Sequence, residues 1–235
     1  MEHSAIIKID NLVKLFPVGK GDFIALNDLS LEIGKGEFTG LVGPSGSGKT
    51  TLLNIIGSLD SPSSGSVVVL GKPVAGLSHK ESAKLRNLHI GFIFQTFNLL
   101  PVYSVYENVE FALLLQKMSS SDRKRAVMNA LEWVGLTDKV KSRPSMLSGG
   151  ECQRVAIARS MVKRPEIVLA DEPTANLDSG NSHNILQTMK NLNRELKTTF
   201  IFATHDEKVM QYLNRIISLE DGRISKDELV ADAKN

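Results

Sequence analysis

The sequence has little cysteine, no long apolar run and no large excess of either charge sign, and each absence excludes a class of protein. Cys152 is the one cysteine among 235 residues, so no internal disulfide can form and we expect a reducing, cytosolic setting. No apolar run approaches the ~18 to 20 residues that span a bilayer, and the N-terminus lacks the pattern of a signal peptide. The formal net charge is +2 with both signs interspersed, so we expect no nucleic-acid partner.

Short apolar or β-branched segments alternate with segments of helical period, which predicts an α/β fold with a largely parallel sheet. Strand candidates are residues 6–12, 29–33, 38–42, 67–70, 90–94, 167–170, 199–203 and 215–219. Turn residues at 19–22 separate the first two candidates, for which we expect an antiparallel arrangement. Two capping boxes, Ser78 with Glu81 and Ser148 with Glu151, predict helix starts.

The middle of the chain follows a helical period, which predicts a helical insert within the α/β domain. We therefore expect one domain, with a core of about 1–95 and 165–222 and a helical subdomain of about 96–164. The charged tail at 223–235 has few large apolar groups, and we expect it to form a marginal helix or to be frayed.

The glycine-rich stretch at 43–50 fits the phosphate-binding pattern G-x-x-x-x-G-K-[ST] at every fixed position. A strand candidate precedes it and a helical segment follows, which is the context that the pattern requires. Glycines let backbone N–H groups and the positive helix end face the phosphates. We expect Lys49 to reach the β- and γ-phosphates and Thr50 to ligate Mg²⁺. The candidate nucleotide-binding residues here are Gly43, Pro44, Ser45, Gly46, Ser47, Gly48, Lys49, Thr50 and Thr51.

Two carboxylates, Asp171 and Glu172, end the apolar strand candidate at 167–170. The carboxyl edge of an open α/β sheet is where ligands bind. Asp171 suits Mg²⁺ coordination and Glu172 suits a general base that deprotonates the attacking water. The motif is weak alone, but beside a phosphate-binding loop it predicts nucleotide hydrolysis.

The segment at 147–151, Leu-Ser-Gly-Gly-Glu, resembles the signature sequence of ATP-binding cassette (ABC) ATPases and lies just before the acidic strand, as that family requires. Other family motifs stand before and after it in the order of the family. Gln95 resembles the Q-loop glutamine, residues 175–178 the D-loop, and His205 the switch histidine. The resemblance implies a P-loop NTPase of ABC type, with an N-terminal antiparallel β subdomain and a helical insert.

The same resemblance implies the roles of further residues. Two subunits would pack head to tail, each ATP lying between Lys49 of one and Ser148 and Gly150 of the other. In this picture Gly149 and Asp178 also belong to the nucleotide-binding set. Phe16 holds the place of the aromatic residue that stacks on adenine, and most relatives have tyrosine there. His205 would contact the γ-phosphate and the water, and Gln95 would sense Mg²⁺ and act with Lys49 and Glu172 in catalysis.

Finer features look like the lipoprotein-release and macrolide-export group of ABC ATPases, for example residues 94–101, Phe-Gln-Thr-Phe-Asn-Leu-Leu-Pro. A separate membrane permease would then hold the protein at the cytoplasmic face of the inner membrane. The candidates for an apolar permease contact are Phe97, Leu99, Leu100 and Tyr103, although each could equally pack the core of the insert.

Two alternatives remain open from the sequence, and a third is disfavoured. One is a regulatory ABC ATPase of a cell-division type permease complex, in which nothing is transported. Another is a soluble ABC ATPase of DNA repair or translation. Against this alternative, the sequence lacks long coiled-coil heptads, a zinc-binding pair, a second cassette and an excess of basic residues. The third is a small-molecule kinase, in which the signature at 147–151 would have no purpose.

Overall fold

The computed structural model describes residues 5–19 and 21–230, which form two sheets and a set of helices. The strands are β1 (Ala5–Val18), β2 (Gly21–Gly34), β3 (Phe38–Val42), β4 (Ser64–Val69), β5 (Lys72–Pro73), β6 (Ile90–Ile93), β7 (Ile167–Asp171), β8 (Thr199–Thr204), β9 (Arg215–Glu220) and β10 (Arg223–Leu229). The helices are α1 (Lys49–Ile56), α2 (His79–His89), α3 (Val105–Glu110), α4 (Ser120–Trp133), α5 (Gly149–Met161), α6 (Ser179–Leu196) and α7 (Glu207–Met210). The predicted α/β class is confirmed.

The central sheet has the strand order β10-β9-β3-β8-β7-β6, and all neighbours except β10 and β9 are parallel. Val42 pairs with Thr204 and Asp171 with Ala203, so β3, β7 and β8 end at the same edge. The phosphate-binding loop, the carboxylate pair and His205 follow these three ends. Topology alone therefore brings together three motifs that span the chain from Gly43 to His205.

The core lies on both faces of the central sheet, which explains why its strands read as continuous apolar runs. Along β8, Phe200 and Phe202 point into a cluster with the middle helices and α6, and Ile201 and Ala203 into a cluster with α1 and the smaller sheet. Every residue of β8 is buried, including Thr204 at its end. This burial on two sides makes the sheet edge a rigid base for the site.

The smaller sheet is antiparallel, in the order β2-β1-β4-β5, and its long hairpin extends beyond the predicted strands. Pairing of β1 with β2 continues to Val18 and Gly21, and Asp22, predicted as a turn residue, lies in β2. Lys20 lies outside the described residues. Local sequence underestimates these strands because cross-strand pairing, with several register shifts, extends them into an exposed tip.

The segment between β6 and β7, all of it described, contains helices and short 3₁₀ turns but no strand. The capping boxes predicted at Ser78 and Ser148 are present. Gly135 has φ +65° just after α4, as expected for a residue that ends a helix. The division into core and helical subdomain stays a prediction. None of the helices in the described part of the chain is long and apolar enough to cross a membrane.

The prediction for the tail is wrong over its described part, because 223–229 form β10, an edge strand paired with β9. Backbone hydrogen bonds hold it, supported by an ion-pair network rather than by apolar burial. The Arg215 guanidinium lies 2.7 Å from Asp227 and 3.0 Å from Glu37, and these bonds hold the pKa of Arg215 above its usual value. Residues 231–235, the rest of the predicted tail, lie outside the described residues.

Candidate functional site: a phosphate-binding cavity at the sheet edge

The loop between β3 and α1 has a conformation that requires glycine at two positions. Gly43 has φ +152°, and a Cβ there would lie 2.2 Å from the carbonyl oxygen of Leu219. Gly48 has φ +101°, and its Cβ would lie 2.6 Å from the carbonyl oxygen of Ala25. The loop is therefore wedged between the β9 end and the β2 hairpin, and its shape is fixed before any ligand binds.

Helix α1 begins without a side-chain cap. Gly48 is its N-cap, no side chain accepts a hydrogen bond there, and the first turn carries no acidic residue. The first N–H groups of a helix need partners, and the positive end of its dipole favours an anion. The start of α1 is thus chemically suited to a phosphate. Pro44, Ser45, Gly46 and Ser47 form the loop that leads to it, and the buried Ser47 hydroxyl has no partner among the described residues.

Lys49 is held on its own loop, with Nζ donating to the carbonyl oxygens of Gly43 at 2.7 Å and Pro44 at 2.8 Å. Burial lowers the pKa of the Lys49 ammonium, while the charges of Glu172 and Asp171 act in the opposite direction. The residue is therefore a desolvated cation, oriented by carbonyl groups at the centre of the loop. Such a group interacts strongly with a phosphate charge.

Thr50 and Asp171 meet across the cavity, where the Thr50 hydroxyl donates to Asp171 Oδ2 at 3.0 Å. Burial raises the pKa of Asp171, and Glu172 adds to this, whereas the Thr50 hydrogen bond and Lys49 lower it. A hydroxyl and one carboxylate are hard oxygen donors, the set with which Mg²⁺ is held beside substrate phosphates. These residues therefore fit the metal. Gln95 lines the same cavity, and its backbone oxygen accepts from Asn176 Nδ2 at 2.9 Å.

Glu172 and His205 form a pair at the ends of β7 and β8, with Nδ1 of His205 2.5 Å from Oε1 of Glu172. The Glu172 side chain is 15% exposed and that of His205 is 71% exposed. Glu172 also has φ +45°, a left-handed conformation that a non-glycine residue seldom adopts. Its backbone N–H donates to Ala203 at 2.9 Å, which anchors this turn to β8.

A cavity of about 400 Å³ joins these groups. Of the predicted site residues, Phe16, Ser45, Gly46, Gly48, Lys49, Thr50, Thr51, Gln95, Asp171, Glu172 and His205 line it. Phosphate-binding, metal-binding and proton-accepting groups thus face one space. Their roles remain predictions.

Two lining residues were missed from the sequence, Phe23 and Ala25. Phe23 pairs with Phe16 across the β1–β2 hairpin, and their exposed fractions are 53% and 36%. Exposed aromatic rings at the mouth of a cavity suit stacking on a planar base. The available signal was the second aromatic residue near the predicted hairpin turn, but its pairing with Phe16 depends on the strand register.

Seven predicted residues do not line this cavity: the loop residues Gly43, Pro44 and Ser47, and the more distant Ser148, Gly149, Gly150 and Asp178. Ser148 is exposed and caps α5, with its hydroxyl accepting from the Glu151 N–H at 3.3 Å. Asp178 caps α6, accepting from the Asn181 N–H at 3.0 Å. Ser148, Gly149 and Asp178 are exposed and Gly150 next to them is buried, so this part of the chain presents a surface separate from the cavity.

The predicted permease contact is only partly exposed. Phe97, Leu99 and Leu100 are half-buried and Leu99 packs against the core, as the alternative interpretation expected, whereas Tyr103 is exposed. The ring of Phe111, which is also exposed, lies 6.5 Å from that of Tyr103. Three further exposed apolar side chains lie beside these two in the chain, Val102 before Tyr103 and Leu114 and Leu115 shortly after Phe111. We call Val102, Tyr103, Phe111, Leu114 and Leu115 the apolar patch.

Comparison with known proteins gives the same family as the one that the sequence motifs resemble. Residues 26–175 match the ABC transporter family. The lipoprotein-releasing system ATP-binding protein LolD of Bordetella pertussis is 44% identical over 222 residues, which cover 94% of this chain and 96% of that protein. The macrolide export ATP-binding/permease protein MacB of Burkholderia pseudomallei is 43% identical over 224 residues. That alignment covers 95% of this chain but only 34% of MacB, so the chain spans about a third of that relative.

Solved structures of ABC cassettes share the fold over nearly the whole chain. A dimeric post-hydrolysis state of the ATP-binding cassette MJ0796 bound to ADP and Pi has a TM-score of 0.88 and 40% sequence identity, covering 96% of this chain and 99% of its own. The cassette cbiO1 of Clostridium perfringens, part of the ABC transporter complex cbiONQ, has a TM-score of 0.87 and 32% sequence identity. The match covers 96% of this chain and 88% of the cbiO1 chain. The chain belongs to the ABC transporter family and is its ATP-binding, ATP-hydrolysing cassette.

Proposed function

We propose that this cassette powers a separate membrane permease of the lipoprotein-release or macrolide-export type from the cytoplasmic face of the membrane. The observation that carries the enzymatic part is the convergence of Lys49, Thr50, Asp171, Glu172 and His205 on one cavity. The transport part is supported by LolD, whose length this chain nearly matches, and by MacB, which unites ATP-binding and permease functions in one protein.

In the proposed reaction the phosphate-binding loop and Lys49 hold the β- and γ-phosphates of ATP. Thr50 and Asp171 would hold Mg²⁺, which neutralises phosphate charge when bound. Glu172 takes a proton from the water that attacks the γ-phosphorus. His205 orients the Glu172 carboxylate through its contact with Oε1. The products are ADP and inorganic phosphate. Phe16 and Phe23 supply the stacking surface for the base.

The surface that carries Ser148, Gly149, Gly150 and Asp178 is assigned to the ATP bound by a second copy of the chain. This is supported by its separation from the cavity and by the dimeric structures of MJ0796, which shares 40% of its sequence with this chain. Each dimer would then enclose two ATP molecules. Hydrolysis removes the bridging γ-phosphate and weakens the interface, which turns a binding equilibrium into a movement.

The Glu172→Gln variant tests the proposed base. We expect its ATP turnover to fall by ~10²-fold or more, because the amide cannot accept the proton. The matched control is Glu166→Gln, which changes the same functional group where it contacts His89 at 3.1 Å, outside the cavity. Turnover is measured with the purified chain under saturating Mg²⁺-ATP. Wild-type turnover in Glu172→Gln would disprove the role of Glu172.

The apolar patch is the proposed permease contact, and Leu115 is its most exposed member at 85%. The test is co-purification from detergent-solubilised membranes of the source organism, using the Glu172→Gln form with ATP. We expect an integral-membrane permease to be retained, to be lost when Leu115→Asp is added, and to remain with Leu229→Asp. Leu229 is 83% exposed but lies on β10, away from the patch. Retention of the permease by Leu115→Asp would contradict the assignment.

A further inference from the structure

The hydroxyl group of Thr204, at the end of β8, bonds both to Glu172 and to the backbone of the turn that carries His205. It donates to Glu172 Oε2 at 3.1 Å and accepts from the backbone N–H of Asp206 at 3.0 Å. Thr204 itself is fully buried and lies next to His205 in the chain. One buried hydroxyl therefore holds the carboxylate and the turn that carries the histidine.

Each oxygen of the Glu172 carboxylate thereby has its own partner, Oε1 contacting His205 and Oε2 accepting from Thr204. A carboxylate held at one oxygen can rotate about its last torsion, whereas one held at both cannot. The backbone of Glu172 is fixed as well, by its left-handed φ and its hydrogen bond to Ala203. Among these restraints, the Thr204 bond is the one that a single isosteric substitution removes without touching Glu172 or His205.

We propose that Thr204 is a positioning residue for ATP hydrolysis, whose hydroxyl keeps the Glu172 carboxylate and the His205 turn in their working arrangement. The proposal rests on the proposed role of Glu172 as the base. Thr204 does not line the cavity, so it acts through its two neighbours and not on the nucleotide. Its removal should accordingly affect turnover more than nucleotide binding.

The test compares Thr204→Val, which keeps the shape and loses the hydroxyl, with Thr204→Ser, which keeps the hydroxyl. A small misplacement of a reacting group can cost ~10²-fold in rate, so we expect Thr204→Val to lower kcat by ~10 to 10²-fold with KM changed less than ~2-fold. Thr204→Ser should stay within ~3-fold of the wild-type rate because its hydroxyl can make the same two bonds.

The control is Thr199→Val at the opposite end of the same strand. Thr199 is also fully buried, and its hydroxyl accepts from the Gly36 N–H at 2.8 Å, far from the site. This substitution should cost stability, seen as a lower Tm, but leave kcat within ~2-fold of wild type. The comparison separates the loss of a buried hydroxyl from the loss of a positioned carboxylate.

A readout without turnover comes from the nucleotide-free protein. Histidine ¹⁵N NMR reports the Nδ1 contact of His205, and we expect this signal to move in Thr204→Val but not in Thr204→Ser or Thr199→Val. The affinity for a fluorescent ATP analogue should be unchanged in all three. Equal kcat values for Thr204→Val and Thr199→Val, failure of Thr204→Ser to restore kcat, or a loss confined to KM would each overturn the proposal.

The Glu172→Gln background distinguishes a failure of this inference from a failure of the proposed function. If Glu172 is the base, Thr204→Val should add less than ~2-fold to the loss already caused by Glu172→Gln, because both act on one step. A fully active Glu172→Gln variant would refute the proposed base and this inference together. An inactive Glu172→Gln variant beside a fully active Thr204→Val variant would refute only the role of Thr204.

Discussion

Two helices of this protein begin at glycine-rich segments, and their first turns are satisfied in opposite ways. Helix α1 starts at Gly48 with no side-chain cap and no acidic residue in its first turn. Helix α5 starts at Ser148 with a capping box, in which the Glu151 carboxylate accepts from the Ser148 N–H at 2.8 Å. The first helix leaves its N–H groups for a ligand, whereas the Glu151 carboxylate already lies at the start of the second.

The difference shows that two glycine-rich helix starts can satisfy their first turns in different ways. The α1 end faces a cavity that contains a cation, a candidate metal-binding pair and a candidate base within one chain. The α5 end is an exposed and already capped surface, with Gly150 buried against Asn181. We infer that α1 binds phosphate by itself, while α5 contributes only when a second chain presents a nucleotide to Ser148 and Gly149.

The largest expected effect is that of Gly48→Ala at the open half-site. Its Cβ would lie 2.6 Å from the Ala25 carbonyl oxygen at φ +101°, so the loop must move. We expect ATP affinity to fall by ~10²-fold or more, measured by titration with a fluorescent ATP analogue. Gly46→Ala is the control, because Gly46 has φ +82° but a Cβ there meets no atom within 4 Å. Equal losses in both variants would contradict the steric explanation.

Asp171→Asn should change stability and activity in opposite directions. Burial raises the pKa of Asp171 above its ordinary value of 3.8. The ionised carboxylate therefore destabilises the folded protein at pH values above the raised pKa. In the nucleotide-free protein we therefore expect a higher Tm at pH 7, with the gain disappearing as the pH falls below 3.8 and the wild-type carboxyl becomes neutral. Mg²⁺-dependent hydrolysis should fall by ~10²-fold or more.

Calorimetry across pH and a turnover assay measure these two effects. A lower Tm for Asp171→Asn at pH 7 would show that the Thr50 hydrogen bond, and not desolvation, dominates at this position. Wild-type hydrolysis in the variant would remove Asp171 from the metal site.

The smallest expected effect concerns the cap of α5. Glu151→Ala removes one acceptor of the capping box and should lower the free energy of unfolding by ~1 kcal/mol, measured by urea denaturation at pH 7. Glu151→Gln retains an acceptor but loses the charge, so at that pH it should lie between Glu151→Ala and the wild type.

The pH dependence of the cap sharpens this comparison. The hydrogen bond from the Ser148 backbone holds the pKa of Glu151 below 4.5. Its stabilisation is therefore present above pH 4.5 and is lost as the pH falls through the lowered pKa, so the wild type should lose stability in acid relative to Glu151→Gln. Parallel acid curves for the two proteins would contradict a stabilising role for this carboxylate.

The sequence predicted those features that depend on neighbouring residues. The phosphate-binding loop, the capping boxes at Ser78 and Ser148 and the central strands were found because short-range spacing determines them. The adjacency of Asp171, Glu172 and the loop was also predictable, because parallel strands end at a shared edge.

Features that depend on distant pairing were missed. Phe23 lines the cavity through its register with Phe16, and β10 forms because β9 offers an unpaired edge. The sequence left open whether Leu99 is exposed or packs against the core, because that depends on packing that no local pattern reports. Thr204 carries no sequence signal for its bonds to Glu172 and Asp206, since threonine is an ordinary residue for a buried strand.

The most direct test of the two half-sites is the molar mass of the Glu172→Gln form by size-exclusion chromatography with light scattering, with and without Mg²⁺-ATP. We expect one chain without nucleotide and two chains with it. Adding Ser148→Arg should block the dimer while the affinity for a fluorescent ATP analogue stays within ~3-fold, because the phosphate-binding loop binds nucleotide by itself. An unchanged dimer in the Ser148→Arg form, or a single chain at saturating ATP without that substitution, would contradict the account.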